Sequence, residues 1–216
     1  CDWSSDVCSS DLSEPEKKRL WQTVVREKIR NQAKCLQIAG FEEKAKSLLS
    51  MIDQVRSGDA GNVEAAAAQA YFPALFGTGF YRDDDNGINA GLNYGYAVLR
   101  GYIARSIAVH GLQPALGIHH RNSLNPFNLA DDLIEPFRPV IDLLVFQTLS
   151  PDDTLTPPIK RILFNCLNLD ILSSGKHFSV ANAAERTVES LVTSFSRKKG
   201  TLILPEIVPT AQHRYE

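Results

Sequence analysis

The sequence has no apolar run of the roughly 18 residues that a membrane-spanning helix requires, which sets aside a helical membrane protein. Cysteine is scarce and unpaired in pattern. Of four copies, Cys35 and Cys166 stand alone in helical-looking contexts and Cys1 and Cys8 belong to an atypical opening, so no ligand spacing exists. That usage excludes a disulfide scaffold or a cysteine zinc site and fits reduced thiols in a cytoplasm; no secretory segment is visible. The five histidines include no His-Asp dipeptide and no Glu-x-x-His pair. A helical phosphohydrolase built on His-Asp and a carboxylate-bridged di-iron bundle therefore both lack their motif. There is no internal repeat and no low-complexity stretch longer than the alanine run after Glu64.

What is present suits one soluble, helical domain. A chain of 216 residues with 44% hydrophobic content can bury a single sizeable core. The opening CDWSSDVCSSDL stands apart, because DVCSSDL reads as the conceptual translation of a sequencing-adapter oligonucleotide. Residues 1–12 are accordingly read as an assembly artefact, leaving residues 13–216 as the domain. Without Asp2, Asp6 and Asp11, 22 acids face 23 bases and the formal charge moves from −2 to +1. A near-neutral total neither supports nor excludes nucleic acid; local patches decide.

Helical signals follow in succession. Glu14 to Ala39 opens on Ser13-Glu14-Pro15-Glu16 and closes at Gly40. Phe41 to Arg56 predicts a second amphipathic helix, and the alanine-rich Asn62 to Phe76 a third. Tyr81 to Gly87 must be loop, and the long apolar stretch Ile88 to His110 reads as the central buried helix, ended by Gly111. Pro157 to Leu172 and Val180 to Lys199 predict two further helices, with a β-prone tail at Leu202 to Leu204. The expected fold class is all-α.

The most informative stretch is GIHHRNSLNPFNLADDLIEPFRP, Gly117 to Pro139. Two adjacent histidines precede a helix on which Asp131, Asp132 and Glu135 crowd onto roughly one side. Like charges so placed repel, which a bound cation or a solvated face relieves. Asn125 and Asn128 are positioned to cap the helix start, leaving His119 and His120 in a loop free to fold back on the acids. Pro136 and Pro139 would leave the carbonyls of Asp132 and Glu135 unpaired and kink the helix beside them.

This segment resembles the signature of the CRISPR-associated endonuclease/integrase of spacer acquisition, the Cas-one family, in the form found beside single-protein effector nucleases. The likeness also runs through KKRLWQTVVREKIRNQA, NVEAAAAQAYFPALFG and INAGLNYGYAVLRGYIARSIAVHGLQPALGIHH to Val145. It implies a helical catalytic domain whose amino-terminal β-sheet domain, a large part of the family's dimer interface, this sequence is expected to lack. Carried over, the family's metal ligands fall on Glu64, His120 and Glu135, with Asp132 as supporting acid. The spacings of 56 and 15 residues between them agree with the family's. The resemblance further implies cutting of DNA and insertion of new spacers into a CRISPR array. In that reaction a 3′-hydroxyl attacks a phosphodiester, with double-stranded DNA, a companion Cas-two protein and a homodimer as partners, and antiviral defence in the cytoplasm as the setting. One imidazole and two carboxylates suit Mg²⁺ or Mn²⁺ rather than zinc, with positions open for water and phosphate oxygens.

Each residue also has a plainer reading. Glu64 alone is first an exposed first-turn acid complementing the helix dipole, a preference the resemblance reverses. The acids after Asn128 read otherwise as a solvated face, against which the following prolines and apolar run argue. Asn93 and Tyr94 read as helix packing or as lining of the site, and His119 as support or DNA contact. Arg105, Arg121 and Arg138 are either ion-pair formers or DNA-backbone contacts; Arg100 shares that choice, and Arg138 can balance Glu135. Arg197-Lys198-Lys199 is a solvated helix end or a phosphate contact. The rival to the enzyme is an inactive fragment or a scaffold that only binds DNA or protein.

Overall fold

The computed structural model describes residues 12–197 and 201–214, with the side chains of 195–197 left aside. The adapter-like opening up to Asp11, the side chain of Arg197, and Lys198-Lys199 therefore lie outside the described residues. The described elements run α1 Glu14–Ile38, α2 Glu42–Leu49, α3 Val63–Phe76, α4 Gly87–Val109, α5 Asn128–Ile134, α6 Arg138–Thr148, α7 Pro157–Phe164, β1 Asp170–Ser173, β2 Lys176–Ser179, α8 Val180–Arg197 and β3 Pro205–Glu206.

The long helices form where the sequence signals them. α1 starts at a capping box, in which the Ser13 amide donates to the Glu16 carboxylate at 2.9 Å, and the chain turns off at Gly40 with φ of 90°. Its buried face carries Trp21, Val24, Val25, Ile29 and Leu36, but also Lys28, Asn31 and Gln32. α3 is capped from a distance: Asp59 accepts from the amides of Val63 and Glu64, each at 3.0 Å. The expected second helix is shorter than its amphipathic stretch, since α2 stops at Leu49 and two 3₁₀ turns, Ile52–Gln54 and Ser57–Asp59, follow.

α5 and α6 pack against both α1 and α4. From Asn128 to Val145 every residue is buried except Asp131 and Arg138. This segment is more continuously buried than α4, which was expected to be the central helix but exposes Asn93, Ala97 and Arg105 along one side. α4 meets α6 closely because a Cβ on Gly91 or Gly95 would lie only 2.3 Å from Leu149 or 2.5 Å from Ile141. The helix is interrupted where the prolines predict, although the Arg138 amide pairs with the Glu135 carbonyl that was expected to go unpaired. α5 ends at Ile134, Glu135–Phe137 makes a 3₁₀ turn, and α6 restarts with Pro139 in its first turn, where its missing N–H costs nothing.

Four expectations are corrected. The fold is predominantly helical but not all-α, because β1, β2 and β3 make an antiparallel sheet in the order β2-β1-β3. The expected helix Pro157–Leu172 therefore ends at Phe164. Ser174 and Gly175, both at positive φ, close a two-residue hairpin whose twist suits paired strands. The β-prone tail pairs slightly later than expected, with Leu172 opposite Glu206 and Ser173 opposite Pro205. Asn125 and Asn128 do not cap α5. Asn125 accepts from the Phe127 amide at 3.0 Å, and Asn128 donates to the carbonyls of Ala115 and Asn122 at 3.0 and 2.8 Å. Both side chains organise the preceding loop.

Asn31, fully buried on α1, ties this turn to the carboxyl-terminal strand. Its amide donates at 2.8 Å to the carbonyls of both Pro136 and Pro205, and its oxygen accepts from the Ile207 amide at 3.2 Å. Asn31→Ala strands these buried backbone groups and should cost about 3 kcal/mol. Calorimetry should then show the unfolding midpoint lowered by roughly 6–12 °C for a chain of this size; a drop below about 2 °C would mean other groups or water satisfy them.

Candidate active site

The loop between α4 and α5 is folded onto one buried carboxylate. Asp132, with no exposed surface, accepts from the amides of Ile118 at 2.5 Å, His119 at 3.0 Å and His120 at 3.2 Å, and from the His120 Nδ1 at 2.7 Å. The approach is so close that a Cβ on Gly117 would lie 2.3 Å from the His120 carbonyl oxygen and 2.8 Å from the Asp132 carboxylate. Only glycine fits there. Trp21 of α1 completes the platform, its ring stacked on His119 at 4.2 Å and edge-on to His120 at 5.7 Å. Hydrogen bonding to Asp132 raises the His120 pKa above its ordinary value against the opposing effect of partial burial, with the Asp132, Glu135 and Asp131 charges adding to the rise.

One helical step from Asp132, Glu135 sits in a buried ion cluster. Lys28 of α1 places its Nζ 2.6 Å from Glu64 Oε1 and 2.5 Å from Glu135 Oε2. Arg138 donates from Nε to Glu135 Oε1 at 2.8 Å and lies 4.5 Å over the Tyr96 ring. Burial pushes the Glu135 carboxyl up, yet the Lys28 ammonium and Arg138 guanidinium outweigh it and hold the pKa at about 2. Among the described residues Glu135 Oε2 has no directed hydrogen bond, only the ion-pair contact.

Glu64 and Glu135, from different elements, thus meet across a single ammonium, while His120 is joined to Asp132, three residues before Glu135. Among the described residues no three His, Cys, Asp or Glu side chains stand close enough together to hold an ion as they are. Two observations nevertheless fit Glu64, His120 and Glu135 to a hard divalent ion. The carboxylates already converge on a cation, and the commitment of His120 Nδ1 to Asp132 leaves Nε2 for a ligand bond.

The remaining predicted residues are dispersed. Asn93 is exposed and accepts from Arg82 at 2.8 Å. Beside the ion cluster, it lines a cavity of about 220 Å³ with Tyr96, Arg100, Asp131 and Arg138. Tyr94 is half-buried and packs on the core. Arg121 pairs with Glu14 at 2.7 Å on the surface, and Arg105 is exposed on α4. Sequence reasoning missed Lys28, Gln32 and Asp142. Asp142 is buried and accepts from the hydroxyls of Tyr71, at 3.0 Å, and Tyr96; burial carries its carboxyl up to about 6. The available signal was periodicity, since Lys28 and Gln32 continue the Trp21–Val25 stripe of α1 that otherwise faces the core.

A family model described as CRISPR associated protein Cas1 matches residues 10–154. The chain is 47% identical over 210 residues to the CRISPR-associated endonuclease Cas1 of Neisseria meningitidis serogroup C, covering 95% of this chain and 69% of that protein. A Cas1 endonuclease of Pyrobaculum aerophilum is 36% identical over 110 residues, 49% of this chain and 37% of its own length. Among solved structures, a casposase bound to integration product superposes with a TM-score of 0.70 at 21% identity, over 88% of this chain and 64% of that one. A Cas1 protein from Thermotoga maritima gives 0.64 at 16% identity, over 85% and 67%. At those identities the structural likenesses establish the fold.

The His120–Asp132 pair gives a signed pH dependence. Its stabilisation is fully present below the ordinary imidazole value of about 6.5 and is lost as pH rises through the higher folded value. Titration by NMR in chelator should place the His120 midpoint above about 6.5 and return it toward that value in Asp132→Asn. An unchanged midpoint in the variant would remove Asp132 as the cause.

Proposed function

The chain belongs to the CRISPR-associated Cas1 family, and on that footing we propose that it is a metal-dependent DNA endonuclease and integrase. It inserts new spacers into a CRISPR array by attack of a 3′-hydroxyl on a phosphodiester. The observation that carries this reading is the meeting of Glu64 and Glu135 around one buried cation, with His120 held by Asp132, three residues before Glu135. Support also comes from the names of the relatives, an endonuclease at 47% identity and a casposase bound to integration product.

In this reading Glu64, His120 and Glu135 hold Mg²⁺ or Mn²⁺, which supplies Lewis-acid withdrawal of charge from the phosphoryl group and a lowered pKa for the attacking hydroxyl. Asp132 orients His120 and, through three amides, fixes the turn that carries it. Arg138 offsets the charge of Glu135 and, with Asn93 and Arg100, lines the adjoining cavity where phosphates approach. His119, stacked on Trp21, keeps the neighbouring loop in place, and Tyr94 supports α4 from the core side. Arg105 and Arg121 contact the DNA backbone, so affinity falls steeply with salt.

Double-stranded DNA, a Cas2 companion and a second copy of the chain are the partners; complexes joining Cas1 to Cas2 have the same fold at TM-scores of 0.66 and 0.70. No helix among the described residues is long and apolar enough to cross a membrane, and a cytoplasmic setting is part of the proposal.

Glu64→Ala, His120→Ala and Glu135→Ala should each lower Mn²⁺-dependent cleavage of branched DNA, and integration in the presence of Cas2, by at least about 100-fold. DNA binding measured in the same preparations should persist. Integration retained in all three variants would defeat the assignment, and DNA binding without any metal-dependent cutting in the parent chain would favour a scaffold.

A further inference from the structure

Lys28 is 8% exposed, yet its ammonium is shared between two acids from two other elements. A buried ammonium is costly unless paired, and two facing carboxylates are costly unless a cation separates them, so each side of this contact stabilises the other. Beyond Lys28 the site opens into a second cavity of about 150 Å³, lined also by Gln32, Arg82, Arg138 and Asp142. Two groups there can accept a further hydrogen bond. Gln32 is 2% exposed and its Oε1 is buried without a hydrogen-bond partner among the described residues. Asp142 is 1% exposed and accepts two tyrosine hydroxyls, with no ion pair to it found among those residues. Arg138 and Arg82 are already engaged, by Glu135 and by Asn89 and Asn93. Gln32 lies one turn beyond Lys28 on α1, the spacing at which side chains are neighbours, with Cβ atoms roughly 5–6 Å apart.

We infer that Lys28 is the protein's own counter-ion for the Glu64–Glu135 pair in the metal-free state. It yields that pair to a divalent cation by swinging along α1 to the Gln32 amide oxygen and the Asp142 carboxylate. The inference rests on the metal-site reading above and extends it: Lys28 and a divalent ion compete for the same two carboxylates, and Gln32 sets how readily Lys28 leaves. The cavity has room for the move, being several times the roughly 30 Å³ that one water occupies in the liquid.

The test is titration of the full chain with Mn²⁺, read from the loss of the free-ion EPR signal, together with melting in EDTA. Lys28→Met should tighten Mn²⁺ binding at least about tenfold, and should lower the EDTA melting midpoint by roughly 5 °C or more, a loss that Mn²⁺ reverses. Gln32→Leu should weaken binding about three- to tenfold with Lys28 present and have no effect in the Lys28→Met background, a non-additivity that simple charge removal does not produce. Equal or weaker binding by Lys28→Met, with Glu64→Gln and Glu135→Gln both weakening it, overturns the inference and leaves the metal site standing. Binding indifferent to Glu64→Gln and Glu135→Gln overturns the site and the inference together. Should Lys28→Met not fold, Gln32→Leu decides alone, and unchanged affinity in it overturns the inference.

Discussion

The structure turns on keeping charge inside a helical core. Asp132, Glu135 and Asp142 all lie on the buried α5–α6 segment, where an unpaired carboxylate would be costly. Each is accommodated differently: Asp132 by three amides and an imidazole, Glu135 by an ammonium and a guanidinium, Asp142 by two phenol hydroxyls. The consequences for their acidity diverge accordingly, with Glu135 held at about 2 and Asp142 carried up to about 6. Surrounding elements take their places from these demands. α1 must bring Lys28, the 111–127 loop must present its amides, and α4 must come close enough for Tyr96 to reach Asp142.

Such an arrangement suits chemistry on phosphodiesters, whose charge must be met where it develops. The proposed metal site draws on the same balance, since two carboxylates gathered around a monovalent cation offer the charge that a divalent one requires. The Asp132–His120 contact orients the ring and commits its Nδ1, which is the part it takes in the proposed metal site.

Much of the helical frame was legible in the residues. The α1 and α3 spans follow from capping and alanine content, and the break beside Glu135 follows from Pro136 and Pro139. The hairpin was not read, although Ser174-Gly175 between short alternating segments is a turn signal, because the preceding Pro157 start and apolar run favoured a longer helix. At the site, the convergence of Glu64 with Glu135 came only through family likeness, as helical periodicity relates positions within an element and says nothing of pairs in different ones. Lys28 was missed for a different reason: a lysine in KKRLWQTVVREK reads as solvated charge until its phase with Trp21 and Gln32 is considered. Asn125 and Asn128 were read as caps of the helix start, whereas their hydrogen bonds organise the preceding loop.

Asn31 gives the molecule a mechanical linkage. The carbonyls it holds belong to Pro136, adjacent to Glu135, and to Pro205 at the head of β3, so the carboxyl-terminal strand acts as a strut on the turn that aims Glu135. Load applied to that strand, by a docked partner or a fused domain, would be felt at the acid itself, several elements away in sequence.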